Sequence, residues 1–322
     1  MKKITRYLST TLLALMLPVV SHAQTLRLGL ITPPSHQWTK SAESFANEIK
    51  EHTDGRIQLS IYPSGQLGNE ALMLQQMQRG ALDMAFLAAG EIANRRPDFA
   101  ALFAPYLVNS AQQASKLLQG ETATSMLDEL NSLGLVGLGY GMAGLRQIVM
   151  SSDVSSVEDL GGLKIRTMPV EPERDFWIKL GAAPTPLPLP ELYDAFANGQ
   201  VDGMQIDFEG TWNSRYLDQA GTVIHSSHMM LPMVAVMSAR SWQKLSEDDR
   251  ALLKNVVRKY LDDMIHTYGD IDKKYLAKIR ESDVKVIEVD RSFFGDAIDQ
   301  WYQEWRERAP VLEALEKEAA SL

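Results

Sequence analysis

The chain has 322 residues, 45% of them hydrophobic, a formal net charge of −9 and no cysteine. That length and apolar content suffice to bury cores for two lobes, and the lack of cysteine excludes disulfide frameworks, thiolate metal sites and thiol nucleophiles. The acidity argues against nucleic acid or an anionic membrane surface as a partner, while leaving room for a local basic pocket.

The first residues read as an export signal. Lys2, Lys3 and Arg6 precede an apolar run from Leu8 to Val20, and Ser21-His22-Ala23 supplies small residues for cleavage. The run is shorter than the roughly 20 apolar residues a membrane span requires. No cysteine stands at the cleavage position to carry a lipid anchor. A mature protein starting at Gln24 is therefore expected in the periplasm. Removing 23 residues leaves 299 and takes three cations with it, moving the charge from −9 to −12.

Leu26, Leu28 and Leu30 alternate with polar or small residues and predict a strand. Trp38 to His52 carries Phe45 and Ile49 at helical spacing. Asp54-Gly55 is a turn signal, and Ile57, Leu59 and Ile61 predict a second strand. After Pro63-Ser64-Gly65, a helix is expected over about Glu70–Arg79, ended by Gly80, and Ala81 to Ala88 returns as a buried strand. This β-α-β-α-β order predicts a parallel sheet.

A similar unit follows later. Leu163 to Met168 reads as a strand, Pro172 to Leu180 as a helix and Ala183 to Leu189 as an extended segment. Glu191 to Asn198 reads as a helix and Val201 onward as a strand. Both units share a helix-Gly-x-x-Asp-strand junction, Gly80-Ala81-Leu82-Asp83 and Gly199-Gln200-Val201-Asp202. Two such units predict two lobes with a ligand cleft between them.

Ser246-Glu247-Asp248-Asp249 marks a helix start, and apolar spacing continues from there to about Ser282. This is either one brace helix crossing both lobes or two helices hinged at Gly269. Val284 to Val289 is expected as a short strand, and the segment from Trp301 to the C-terminus as a charged outer helix.

Gly139-Tyr140-Gly141-Met142-Ala143-Gly144 matches the spacing of a dinucleotide loop. Gln147-Ile148-Val149-Met150 behind it reads as a strand, where a pyrophosphate site needs a helix N-terminus, so the glycines are expected to let the backbone cross between lobes. His225-Ser226-Ser227-His228 has the wrong spacing for a zinc pair. No Gly-x-Ser-x-Gly elbow and no paired glycosidase carboxylates occur. No catalytic residue, metal site or cofactor is expected.

Two arginines are the positive signal. Arg146 lies in Gly144-Leu145-Arg146-Gln147 at a strand start. Arg166 lies inside Leu163-Lys164-Ile165-Arg166-Thr167-Met168, on the face opposite Ile165 and just before Pro169. A guanidinium matches a carboxylate bidentately and stays charged. Spacing alone slightly favours surface ion pairs.

From Leu26 to about Ala277 the chain resembles the solute-binding proteins of tripartite ATP-independent periplasmic (TRAP) transporters, the DctP-like family. The resemblance rests on Thr53-Asp54-Gly55-Arg56-Ile57, Tyr62-Pro63-Ser64-Gly65-Gln66-Leu67-Gly68 and Gly80-Ala81-Leu82-Asp83. It continues through Asp159 to Arg166, Gly181-Ala182-Ala183-Pro184-Thr185-Pro186 and Val201-Asp202-Gly203. It implies an α/β, two-lobed periplasmic-binding-protein (Venus-flytrap) fold with a long brace helix. The lobes are expected at 24–143 with 232–271, and at 144–231 with 272–322. It further implies a carboxylate clamp at Arg166 assisted by Arg146, and delivery of the ligand to TRAP membrane subunits.

The chain departs from the family where many members carry Gln-Glu-Asn-Pro. Here Met204-Gln205-Ile206-Asp207 follows, placing Ile206 where the family's ligand-touching Asn stands. Ala88 and Ala89 replace an acidic contact of sialic-acid binders. Asp207, Glu209, Trp212, His36, Trp38 and Ala88 complete the expected lining. An acid of this set facing the cleft would favour a hydroxylated or cationic ligand over a plain dicarboxylate. A zwitterion-binding protein and a periplasmic enzyme acting on a carboxylate are the rival readings.

Overall fold

The protein is described by a computed structural model over residues 23–322. The export signal expected at the N-terminus falls on residues outside that range, apart from Ala23.

Eleven strands form two sheets. In chain order they are β1 (Gln24–Gly29), β2 (Ile57–Tyr62), β3 (Met84–Ala88), β4 (Leu135–Leu145), β5 (Gln147–Met150) and β6 (Lys164–Thr167). Then follow β7 (Ala183–Pro186), β8 (Gly203–Ile206), β9 (Thr222–His225), β10 (Met230–Ser238) and β11 (Lys285–Glu288). The first sheet has the order β2-β1-β3-β10-β4 and the second β11-β9-β5-β8-β6-β7. The molecule is thus two-lobed.

Both sheets are mixed, and the parallel unit expected from the first β-α-β-α-β run forms one side of the first. β1 runs parallel to β2 and β3, but β10 is antiparallel to β3 and β4. In the second sheet β5 is antiparallel to β8 and β9. The cause is the double crossing of the chain, out along β4 into β5 and back along β9 into β10. These strands join their sheets through long-range pairings that no local β-α-β order announces.

The glycine-rich stretch lies along β4, and a strand follows it, as the reading against a nucleotide loop requires. Its glycines have two uses. A Cβ at Gly141 would lie 2.8 Å from Met233 Cε and 2.9 Å from Met264 Sδ, and one at Gly139 would lie 3.0 Å from Leu261 Cδ1. They therefore admit the long helix onto the sheet. Only Gly144, with φ of +68°, belongs to the crossing itself.

That helix is continuous from Glu247 to Arg280, 34 residues, or about 51 Å at 1.5 Å per residue. It starts at an N-cap Ser246 whose side chain accepts from the Asp249 amide. Leu253, Val257, Leu261, Met264 and Ile265 enter the larger core, while Tyr275 and Ile279 enter the smaller one beside Phe208 and Tyr216. Gly269 is not a hinge.

The first helix (Gln37–His52) packs Phe45 and Ile49 against the first sheet. Near the C-terminus, the helix Ala297–Arg308 buries Trp301 and Trp305 despite its charge. Trp301 Nε1 donates to Pro172 O and the Tyr302 hydroxyl to Pro105 O. It therefore fastens onto segments on either side of the β4–β5 crossing.

Two glycine substitutions should separate these roles. Gly144→Ala forces a side chain into the left-handed region and places its Cβ 3.0 Å from Asp272 Oδ1, costing about 1–3 kcal/mol. Gly269→Ala, with nothing nearer than Ala111 Cβ at 4.0 Å, should stabilise by about 0.5–1 kcal/mol through helix propensity. Urea unfolding midpoints test both signs.

Candidate ligand-binding site

The crossing segments and the carboxyl ends of β6 and β8 converge on one pocket between the sheets. Together with the open solvent at its mouth it holds about 520 Å³ of space free of protein atoms. Of the expected residues, Arg166, Arg146, Asp207, His36, Trp38 and Ala88 line it.

Arg166 sits in β6, flanked by β8 and β7. Alternation sends Ile165 into the core and Arg166 into the cleft. Pro169 follows, and the chain turns into the helix Glu171–Lys179 with Pro172 in its first turn. Arg166 is only 1% exposed. Its Nε donates to Leu187 O at 2.9 Å, while Nη1 is buried without a hydrogen-bond partner. Burial lowers the guanidinium from its ordinary value, and the neighbouring Glu173 opposes that shift.

Glu173 was not singled out in the sequence, although it lies in the first turn of the helix after the Arg166 strand. It is fully buried, accepts from the Met168 amide, and leaves Oε2 unpartnered. Burial raises its carboxyl above the usual range, against the pull of Arg146 and Arg166.

Arg146 is the residue between β4 and β5. Its amide donates to Met229 O and its carbonyl accepts from the His228 amide, tying the outgoing and returning crossings together. Nη1 donates to Asp207 Oδ2 at 3.0 Å, and Nε is buried without a partner. Behind it, burial and the charge of Arg146 push His228 down to about 3. A neutral ring then bridges the Ser226 hydroxyl and Gln205 Oε1.

Asp207 ends β8 and caps the short helix Phe208–Asn213, its Oδ1 accepting from the Gly210 amide at 2.7 Å. That cap turns Gly210 toward the pocket and, at about 100° per residue, turns its helical neighbours away. Glu209 consequently lies one layer back, accepting from the Gln37 amide and the Tyr268 hydroxyl. Trp212 lies outside the pocket, in a surface depression, with Lys278 Nζ 5.0 Å from its ring centroid. These two do not join the expected lining.

His36 caps the first helix, with Nδ1 accepting from the Trp38 amide, and Nε2 is 3.6 Å from Glu209 Oε2. Trp38 Nε1 donates to Met142 O. Ala88 ends β3, and its amide donates to Glu70 Oε1. Burial pushes Glu70 up to about 8. Ile31, Thr32, Pro33, Ala143, Met168, Leu189, Ile206, Ser214 and Leu231 complete the wall. Apart from Ile206, they carry no individual signature in the sequence, being ordinary apolar or small residues.

His36, Asp207 and Glu209 bring ligating atoms within 4.8 Å of one another, as a metal site would. Each of the three is already engaged in hydrogen bonds within the protein. Imidazole has one lone pair when neutral, here used toward the Trp38 amide. Asp207 is shared by Arg146 and Gly210, and Glu209 by Gln37 and Tyr268. The trio is a capping and tethering network.

Asp272 of the long helix stands against Gly144, with Oδ1 buried and unpartnered. Burial first, then the nearby Asp207, push its carboxyl up to about 8. The folded state therefore holds this proton where the unfolded chain, near 3.9, has released it. Stability from this group is fully present below pH 4 and is lost as pH rises through about 8. Asp272→Asn should flatten the stability profile between about pH 4 and 8, by at most about 1.4 kcal/mol per pH unit. Urea midpoints across that range read the change in slope.

The bacterial extracellular solute-binding protein family 7, DctP, matches residues 28–308. A solute-binding protein of Chromohalobacter salexigens is 26% identical over 94% of this chain and 91% of its own. The sialic acid-binding periplasmic protein of Vibrio cholerae is 25% identical over 89% of each. Among solved structures, a TRAP periplasmic solute-binding protein of a Bradyrhizobium species, complexed with D-galacturonate, superposes with a TM-score of 0.86. It is 27% identical, covering 93% of this chain and 100% of that one. No helix among the described residues is long and apolar enough to cross a membrane.

Proposed function

The chain belongs to the bacterial extracellular solute-binding proteins of family 7, and from that membership we propose that it captures a small organic-acid anion in the periplasm and delivers it to TRAP membrane subunits. The observation that carries the reading is a pair of buried guanidinium donors, Arg166 Nη1 and Arg146 Nε, left without partners in an interlobe pocket. A carboxylate supplies the missing acceptors and the compensating charge at once. The acidic ligands of relatives, sialic acid and galacturonate, support the same head group.

In this reading the anion enters an open cleft and meets Arg166 first, since Arg146 is already held by Asp207. The lobes then close and exclude water, which strengthens the charge-assisted bonds. The closed complex is the form that docks and releases its cargo. A zwitterionic ligand is disfavoured because Asp207, the pocket's acid, already accepts on both oxygens.

Truncating a buried arginine against a carboxylate costs about 2–5 kcal/mol of binding. Arg166→Ala should therefore abolish measurable uptake of carboxylate ligands by calorimetry while the protein still melts cooperatively. Arg146→Ala should weaken binding less. Wild-type affinity in Arg166→Ala would remove the clamp.

A further inference from the structure

The two lobes leave unequal chambers on either side of Arg166. The inner one, toward the crossing strands, holds both arginines. The outer one shares Ile31, Arg166, Met168 and Leu189 with it but opens onto Glu70, Glu91, Asn94 and Arg95. A carboxylate held by Arg166 can extend its body either way, and the walls differ in what they offer that body.

Inside, the polar groups are almost all committed. Thr32 Oγ1 is hydrogen-bonded to Thr39 Oγ1 at 3.0 Å, His36 to the Trp38 amide, and Asp207 to Arg146 and Gly210. Ser214 faces the Tyr216 phenol. The buried donors without a partner are Arg166 Nη1 and Arg146 Nε, and the two cations that carry them call for one anionic head. The rest of the wall is Ile31, Ala88, Met168, Leu189, Ile206 and Leu231, five of them less than 9% exposed. A hydroxyl placed against that wall loses its water and gains no partner, which is costly. A second carboxylate would meet the same surface or the Asp207 charge.

Outside, the polar groups are carboxyls, amides and a further arginine, Arg95. Glu91 is paired with Arg95, and Glu70 is held by the Ala88 amide. That chamber suits hydroxyls better than the inner one, but it has only one of the two clamp arginines. Only the inner chamber satisfies both orphaned guanidinium nitrogens.

We propose that the ligand is a monocarboxylate whose remainder is aliphatic or aromatic and unhydroxylated, seated in the inner chamber with its head on Arg166 and Arg146. This rests on the carboxylate-capture reading and sharpens it to a substrate class. It sets this chain apart from the uronate-binding relative, whose ligand carries hydroxyls around its ring. Ile206, standing among the apolar residues of the wall, is the specificity residue of this arrangement.

The test uses the full-length mature protein, unfolded and refolded to remove carried-over ligand, with four probes: 4-methylpentanoate, phenylacetate, D-galacturonate and succinate. Calorimetry should give the two apolar monocarboxylates at least tenfold tighter binding than galacturonate or succinate, with both lost in Arg166→Ala. Galacturonate binding as tightly or more tightly, and lost in Arg166→Ala, overturns the apolar-body inference and leaves the carboxylate clamp standing. Succinate binding more tightly than either monocarboxylate overturns the single-charge argument in the same way. Silence from all four probes overturns both the substrate class and the clamp.

Discussion

A guanidinium withdrawn from water costs several kcal/mol unless an opposite charge and hydrogen-bond acceptors accompany it. Arg146 and Arg166 are 3% and 1% exposed, and much of the surrounding architecture meets that requirement. Asp207 compensates Arg146 directly, Glu173 lies close to both arginines, and Leu187 O accepts from Arg166 Nε. Compensation is incomplete by two nitrogens and by one Glu173 oxygen. The pocket is built around that deficit.

The same residues also hold the lobes together. Arg146 occupies the single position between β4 and β5, and its backbone bonds reach both His228 and Met229 on the return path. Asp207 closes the pair from the end of β8 while capping the next helix. Tyr268 then links the long helix to Glu209, which reaches the first helix at Gln37. Two hydrogen-bonded sets, joined through the backbone from Asp207 to Glu209, thus lead from the crossing strands to the N-terminus of the first helix. Removing any charged member leaves a neighbour buried and unpaired.

The sequence disclosed what local patterns can carry. Arg166 was legible because the family resemblance, carried by the block from Asp159 to Arg166, singled out a cation that spacing alone left open to a surface ion pair. The long helix was legible from its spacing and its Ser246 cap. β10 was not, because Met230–Ser238 is buried along its whole length and fully buried strands lack the alternation that betrays one face. The antiparallel crossings are long-range pairings that local order does not encode. His36, Trp38 and Asp207 fell in the right loops, but Glu209 and Trp212 show the limit of such proximity. Once Asp207 caps a helix, a rotation of 100° per residue decides which neighbours reach the pocket. Glu173 went unread because an acid in a helix's first turn is ordinarily explained by the helix dipole.

The unbroken run of the long helix has a mechanical side. Its N-terminal half is embedded in the larger core and its last turns in the smaller one, so it spans the same gap as the two strand crossings. A change of angle between the sheets cannot be taken up by the crossings alone. It must also flex some 51 Å of α-helix, whose hydrogen bonds resist bending along their whole length. Any change of angle between the sheets therefore works against the stiffness of this helix as well as against the two crossings.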